Sequence, residues 1–111
     1  MATGSELHLA TEARDILQAE GIPTAVVSMP CRLIFEEQED NYKRKVLGET
    51  RARVAVEAAV QDSWDRYLGL DGRFVGMHEF GASGKIDDVY KKFDITTDAV
   101  VRAARAVLLA A

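Results

Sequence analysis

Apolar residues along this chain alternate between helical and extended spacing. In the first segment they recur at i, i+4, i+7 and i+8, which defines one face of a helix: Leu9, Ala13, Ile16 and Leu17. We expect this helix to begin at Ser5, whose hydroxyl caps the first turn, and to end at Gly21, ahead of Pro23. Three later runs have the β-branched or alternating pattern of strands: residues 24–29, 53–57 and 73–77.

The charged segment 35–47 is predicted to form a surface helix. It contains two acid-before-base pairs at i, i+4, Glu39 with Lys43 and Asp40 with Arg44, each of which adds a few tenths of a kcal/mol. Its buried face is expected to consist of Phe35, Tyr42 and Val46.

Three further helices are predicted, and together with the strands they indicate the fold class. They are residues 58–68, which end at Gly69, a segment from Ile86 to Phe93, and a final helix capped by Thr96 or Thr97. The final helix should face inward through Val100, Ala104, Val107 and Leu108. Because strands separated by helices imply crossover connections, we expect an α/β fold with mostly parallel pairing.

Composition narrows the class of protein. The chain has 111 residues, 48% of them hydrophobic, and a net charge of −4, so it fits one folded domain without a basic surface for nucleic acid. The single cysteine, Cys31, forms no internal disulfide, which suits a reducing compartment. No apolar run approaches the roughly 20 residues that span a bilayer, and no secretory signal is visible. A cytoplasmic protein with no membrane partner is the simplest interpretation.

Three segments have a distinctive order and spacing. They are ATGSE at residues 2–6, VVSMP at residues 26–30, and RVAVEAAVQDSWDRYLGLDGRFVGMHEFGASG at residues 53–84. Through them, and from Ala2 to about Leu108, the chain resembles the C-terminal domain of transketolase. The resemblance implies a three-layer α/β/α domain with a mostly parallel mixed sheet, in which one strand runs antiparallel to the rest. Related domains in pyruvate dehydrogenase components and deoxyxylulose-phosphate synthase match these motifs less well.

The resemblance implies an enzyme whose active site lies outside this chain. Transketolases transfer two-carbon ketol units between sugar phosphates in the pentose phosphate pathway or the Calvin cycle. They bind thiamine diphosphate and a divalent metal, Mg or Ca, between two larger domains that precede this one. We therefore expect residues 1–111 to be a single supporting domain, inactive alone, with no catalytic, cofactor-binding or metal-binding residue. The implied partners are the preceding thiamine-binding domains of a homodimeric enzyme.

The first strand of the domain is expected to be truncated. In the family an apolar run precedes ATGSE and forms most of the first strand, whereas here the sequence begins at Met1 and only residues 1–3 are left as a stub of that strand. The chain is therefore expected to be a fragment of a longer protein or a separately encoded subunit. A shortened edge strand would leave backbone groups unpaired, so restoring several upstream residues should raise the melting temperature.

A glycine-rich loop is the candidate binding site of this sequence. The residues that would bind an anion are His78, Gly81, Ser83, Gly84 and Lys85. A P-loop is excluded because Glu79 stands where its first glycine is required and Ile86 replaces its Ser/Thr. Backbone N–H groups entering a helix still suit an anion, which makes a regulatory phosphometabolite- or nucleotide-binding module the alternative function. The simpler interpretation is a tight turn capped by Ser83.

Other polar residues are assigned structural roles. His8 and Glu12 are two possible ligands, too few for a zinc site, and Cys31 has no neighbouring base. His78 ends a strand where open α/β sheets place ligands, but a catalytic base also needs a positioned partner. Glu57 is expected to be partly buried and to anchor a loop or a helix N-terminus. The aromatic side chains expected between helix and sheet are Trp64, Tyr67 and Phe80.

Overall fold

The computed structural model describes residues 1–29, 32–60, 64–77 and 93–110 of the chain. A short 3₁₀ turn, Gly4–Glu6, leads into the first helix. The elements that follow it are α1 (Leu7–Ala19), α2 (Arg32–Glu36), α3 (Asp40–Leu47), β1 (Val54–Val60), α4 (Asp65–Leu68), β2 (Arg73–Met77) and α5 (Thr97–Ala110). None of these helices is long and apolar enough to cross a membrane.

Parallel pairing connects the strands, as the crossover pattern predicts. β1 and β2 are parallel, with Val54 opposite Arg73 and an irregularity in register between Val56 and Val60. Ala2 forms parallel bridges to Ser28 on one side and Val56 on the other. The expected antiparallel strand has no counterpart among the described residues. The predicted α/β class is confirmed.

Two hydrophobic clusters cover the two faces of the sheet. Successive strand residues point to opposite faces, so Ala55 lies in one cluster and Val56 in the other. The first cluster lies under α1 and α5 and contains Ala2, Leu9, Ala10, Ala13, Leu17, Val56, Val75, Phe93, Ile95, Val100 and Val101. The second lies under α2, α3 and α4 and contains Met29, Phe35, Ala55, Trp64, Tyr67 and Leu68. The helices therefore form layers on both sides of the sheet.

The predicted helix over residues 35–47 is wrong in its bounds. The chain breaks between α2 and α3, where Glu39 adopts an extended conformation with φ −64° and ψ 150°. Because of this break, the Phe35 side chain lies in the second cluster. Tyr42 is 52% exposed and therefore is not part of a buried face. Lys43 pairs with Glu36 at 3.6 Å and with Asp40 at 3.4 Å, across the break and along α3.

The predicted helix over residues 58–68 is also wrong at its start. β1 continues to Val60, which pairs with Met77 of β2. Alanine-rich sequence favours a helix, but pairing with a neighbouring strand overrides local propensity here. The helix that follows, α4, is confined to Asp65–Leu68.

The strand predicted at residues 24–29 and the position of residues 1–3 both need correction. In this segment Ser28 forms an isolated bridge to Ala2, with hydrogen bonds from the Ala2 amide to the Val27 carbonyl and from the Met29 amide to the Ala2 carbonyl. Residues 1–3 do not form an edge strand, since Ala2 is paired on both sides. Residues 1–3 therefore lie inside the sheet, between two flanking segments.

The ends of the long helices follow the sequence with one exception. Gly21 has φ +83°, the left-handed conformation expected after α1, and the Ala99 amide donates to Thr96 Oγ1 at 3.1 Å at the start of α5. The exception is the start of α1, because a 3₁₀ turn precedes the α-helix and the N-cap position falls on Glu6, whose side chain makes no capping hydrogen bond. Two residues predicted to face inward are more than a third exposed, Ile16 and Leu108.

Gly76 is a position where the backbone of β1 and a side chain of β2 leave no room for a methyl group. A Cβ there would lie 2.6 Å from the Glu57 carbonyl oxygen and 2.2 Å from Phe74 Cε2. We expect Gly76→Ala to destabilise the fold by about 1–3 kcal/mol, because the strands must separate to admit it. Chemical denaturation measures this effect, with Ser28→Ala at an exposed position as the control. Equal stabilities of the two variants would contradict the close packing of β1 on β2.

Candidate functional site

A polar network lies against the second cluster, beside β1. The Trp64 indole donates from Nε1 to Glu57 Oε2 at 2.5 Å. Trp64 is fully buried and immediately precedes α4, so Glu57 fixes the start of that helix to the strand. The expectation that Glu57 is partly buried and anchors a helix N-terminus is confirmed.

A second carboxylate, that of Glu36, joins the three short helices. The Tyr67 hydroxyl donates to Glu36 Oε1 at 2.5 Å, while Arg66 Nη2 lies 3.1 Å and Lys43 Nζ 3.6 Å from Oε2. The hydrogen bond from Tyr67, followed by the two cations, holds the pKa of Glu36 below its ordinary value. Glu36 therefore remains ionised and ties α2 to α3 and α4.

Aromatic rings fill the space between these two carboxylates. Tyr67 contacts Trp64 and Phe35 edge-on, at centroid distances of 6.2 Å and 5.7 Å. Among the described residues, no buried side-chain nitrogen or oxygen lacks a hydrogen-bond partner. The network therefore satisfies its own polar groups, as expected of a structural element, and the prediction that Trp64 and Tyr67 pack between helix and sheet is confirmed.

Removing the Tyr67 hydroxyl should change the pKa of Glu36. Tyr67→Phe keeps the ring but removes the donor that contributes most to the lowered pKa, so we expect the pKa of Glu36 to rise toward its ordinary value. A carbon-detected NMR titration of the Glu36 carboxyl group measures it. Arg66→Ala, which removes a smaller contribution, should raise it less, and an unchanged pKa in Tyr67→Phe would rule out the hydrogen bond.

Arg53 is a structural residue that sequence reasoning missed. Its guanidinium donates to the carbonyl oxygens of Gly48, Thr50 and Tyr67, each at 2.9 Å. These bonds close the loop between α3 and β1 and attach it to the end of α4. An arginine at the start of a strand carries no sequence signal for such a role, because its partners are backbone atoms.

A cavity of about 390 Å³ opens at the amino ends of the strands. Met1 lies at its inner end, where the α-amino group donates to the Val54 carbonyl oxygen at 2.7 Å. Burial lowers the pKa of this amino group from 8.0 to about 6. Sequence reasoning did not find this cavity, since it depends on how α1, α3 and α5 meet around residues 1–3.

The glycine-rich candidate site stays a prediction. His78, Gly81, Ser83, Gly84 and Lys85 all lie outside the described residues, as do Phe80 and Cys31. Glu12 accepts a hydrogen bond from Thr97 Oγ1 at 2.7 Å, which links α1 to α5. In the described ranges no three His, Cys, Asp or Glu side chains lie close enough to hold a metal ion.

Known proteins resemble this chain in sequence and in fold. The family model of the transketolase-like TK C-terminal domain matches residues 1–96. A transketolase of Sinorhizobium medicae is 53% identical over 97% of the chain, and transketolase 1 of Pasteurella multocida is 44% identical over the same share. The transketolase structure from Leishmania mexicana superposes on 96% of the chain with a TM-score of 0.83 at 42% identity.

The chain corresponds to a small part of each of these proteins. It spans 16% of the length of both bacterial transketolases and 15% of the Leishmania chain. The family match covers most of the 111 residues, and the superposition includes nearly all of them. This chain belongs to the family of transketolase C-terminal domains.

Proposed function

We propose that this chain is the supporting C-terminal domain of a transketolase, an enzyme that transfers two-carbon ketol units between sugar phosphates. The observation that carries the proposal is the contrast between the share of this chain that matches transketolases and the share of each transketolase that is matched. Nearly all of the chain matches transketolases, yet it matches only 16% of their length. The parent would be a cytoplasmic homodimer of the pentose phosphate pathway or the Calvin cycle.

Catalysis is assigned to the domains that precede this one. Thiamine diphosphate and a divalent metal would supply the carbanion chemistry there. The described residues do not fit these groups, since their buried polar side chains are already hydrogen-bonded and they contain no cluster of metal ligands. The role left to this domain is to pack against its neighbour and restrict its motion.

The isolated chain is therefore expected to be inactive. Purified protein supplied with thiamine diphosphate, Mg²⁺, xylulose 5-phosphate and ribose 5-phosphate should form no sedoheptulose 7-phosphate above the background without protein. A coupled assay, or chromatography of the sugar phosphates, measures this. A complete transketolase under the same conditions is the positive control, and turnover by the chain alone would contradict the proposal.

A further inference from the structure

The helices on one face of the sheet are less well packed than those on the other. All eight residues of α3 are described, and none of them is buried. Helices this short owe their stability to packing, because they are marginal on their own. On the opposite face α1 buries four residues, and side-chain bonds from Thr97 to Glu12 and from Arg105 to Glu20 join it to α5. The side of α2 and α3 is therefore where we expect the domain to be covered in a larger protein.

Two large apolar side chains are exposed on this side. Ile34 of α2 is 59% exposed, and Tyr42 of α3 is also more than half exposed. The Tyr42 ring is nevertheless held in place, because it contacts the ring of the buried Phe35 at a centroid distance of 6.5 Å. Neither Ile34 nor Tyr42 lines the cavity at the amino ends of the strands. A segment that filled that cavity would therefore leave both of them exposed.

Tyr42 has the properties of an interface anchor. Its hydroxyl makes no hydrogen bond with the described residues, although its ring is packed. Tyrosine combines a large apolar ring with a polar tip, and it is enriched among the residues that dominate binding energies. Because Phe35 already orders the ring, little side-chain freedom remains to be lost on binding. Tyr42 therefore suits an apolar recess that contains a hydrogen-bond acceptor.

The link between α2 and α3 gives this surface a negative rim. It carries four carboxylates, of which Glu36 and Asp40 are paired with Lys43. The other two, Glu37 and Glu39, are exposed and form no ion pair with the described residues. Rim charges select a partner of opposite sign and speed its approach. A partner with basic side chains around an apolar recess would complement this surface.

We propose that Ile34, Glu37, Glu39 and Tyr42, which we call the α2–α3 face, pack against the domain that precedes this one in transketolase. That domain presents the apolar recess, an acceptor for the Tyr42 hydroxyl, and basic side chains opposite the two glutamates. The inference rests on the proposed function, because this chain matches only 16% of the length of its bacterial relatives and the occupant belongs to the remainder. Interfaces between domains of one chain bury about 600–1,500 Å², so the α2–α3 face is the centre of a larger contact.

Hydroxyl-radical footprinting tests the α2–α3 face in a chimeric transketolase. In the chimera, residues 1–111 replace the C-terminal 16% of the Sinorhizobium medicae enzyme. Oxidation of Tyr42 should be at least about fivefold slower in the chimera than in the isolated chain, because interface anchors lie in desolvated pockets. Leu109 on α5, which is 89% exposed, should be oxidised at the same rate in both proteins.

Two matched substitutions make the footprint specific. Ile34→Glu places a charge at the centre of the face and should return the oxidation of Tyr42 in the chimera to within about twofold of its rate in the isolated chain. Leu109→Glu makes the same aliphatic-to-acid change on α5 and should leave Tyr42 protected. Because both side chains are more than half exposed, neither change should unfold the isolated chain, which chemical denaturation checks.

A third variant tests the hydroxyl of Tyr42. Tyr42→Phe should lower the melting temperature of the chimera but not that of the isolated chain, where the hydroxyl has no partner among the described residues. An equal effect in both proteins would contradict an acceptor on the preceding domain.

The outcomes separate the α2–α3 face from the proposed function. A chimera that catalyses ketol transfer with Tyr42 as reactive as in the isolated chain would overturn the face and leave the supporting role intact. Protection of Ile16 and Leu109 in place of Tyr42 would do the same, since it puts the contact on α1 and α5. Protection of Tyr42 in the isolated chain that grows with its concentration would identify a second copy as the occupant. A chimera no more active or stable than the enzyme without its C-terminal 16% would count against the proposed function, and the inference would fall with it.

Discussion

Replacing Trp64 by alanine is expected to lower the stability of the fold by about 3–5 kcal/mol, the cost of truncating a buried aromatic side chain. Trp64 is fully buried in the second cluster, contacts Tyr67 edge-on and donates to Glu57. Its removal leaves a cavity and takes a donor from a half-buried carboxylate. Domains of this size have total stabilities of about 5–15 kcal/mol, so the loss is a large fraction of the whole.

Two further variants make the Trp64 result specific. Trp64→Phe keeps much of the ring but removes the indole N–H, so its melting temperature should lie between those of the wild type and Trp64→Ala. Leu70→Ala changes a fully exposed side chain and should shift stability by less than about 0.5 kcal/mol. Calorimetry measures all three, and a Trp64→Ala protein as stable as Leu70→Ala would show that the indole is not part of the core.

The stability of a protein that begins at Met1 should rise by about 2 kcal/mol between pH 6 and pH 8 because of its amino terminus. Burial lowers the pKa of this group from 8.0 to about 6. Between these values the unfolded chain binds a proton that the folded chain does not, so acid favours unfolding. The contribution is fully present above pH 8 and is lost as the pH falls to 6.

An N-terminally acetylated chain is the matched control for this pH dependence. Acetylation removes the titrating amine but leaves His8, His78 and every other titrating side chain in place, so their contributions cancel in the comparison. Urea denaturation from pH 5.5 to 8.5 should give a steeper profile for the free amine. Parallel profiles would mean that the amino group is not buried against Val54.

Extending the chain upstream should have the same effect as acetylation and add pairing as well. The sequence predicts that restoring such residues raises the melting temperature, on the assumption of a shortened edge strand. Because Ala2 is paired on both sides, the gain would come from added pairing inside the sheet and from replacing a buried amino group by a peptide bond. The prediction is unchanged, but its physical basis is different.

Local sequence signals predicted the parts of the fold that depend on nearby residues. β2 has its predicted bounds of Arg73–Met77, Gly21 ends α1, and Thr96 caps α5. The family motifs predicted the layers and the parallel pairing. Long-range pairing was not predictable in the same way, since β1 extends through Val60 despite a helical pattern, and the strand predicted at residues 24–29 is reduced to an isolated bridge at Ser28.

Only part of the polar network could be predicted from the sequence. A carboxylate at the end of an apolar strand needs a partner, and this requirement identified Glu57. Glu36 and Arg53 gave no comparable signal. The partner of Glu36, Tyr67, lies far along the chain, and the partners of Arg53, such as the Gly48 carbonyl, are backbone atoms. The cavity ahead of Met1 arises where three helices meet, which no periodicity describes.

The most direct test of the supporting role is reconstitution from two polypeptides. Sinorhizobium medicae transketolase without its C-terminal 16% is expressed alone and together with this chain, then purified through a tag on the larger piece. If this chain is the structural complement of the enzyme, the two pieces co-purify, and ketol transfer or the melting temperature rises above that of the larger piece alone. Failure to associate, with activity and stability unchanged, would contradict it.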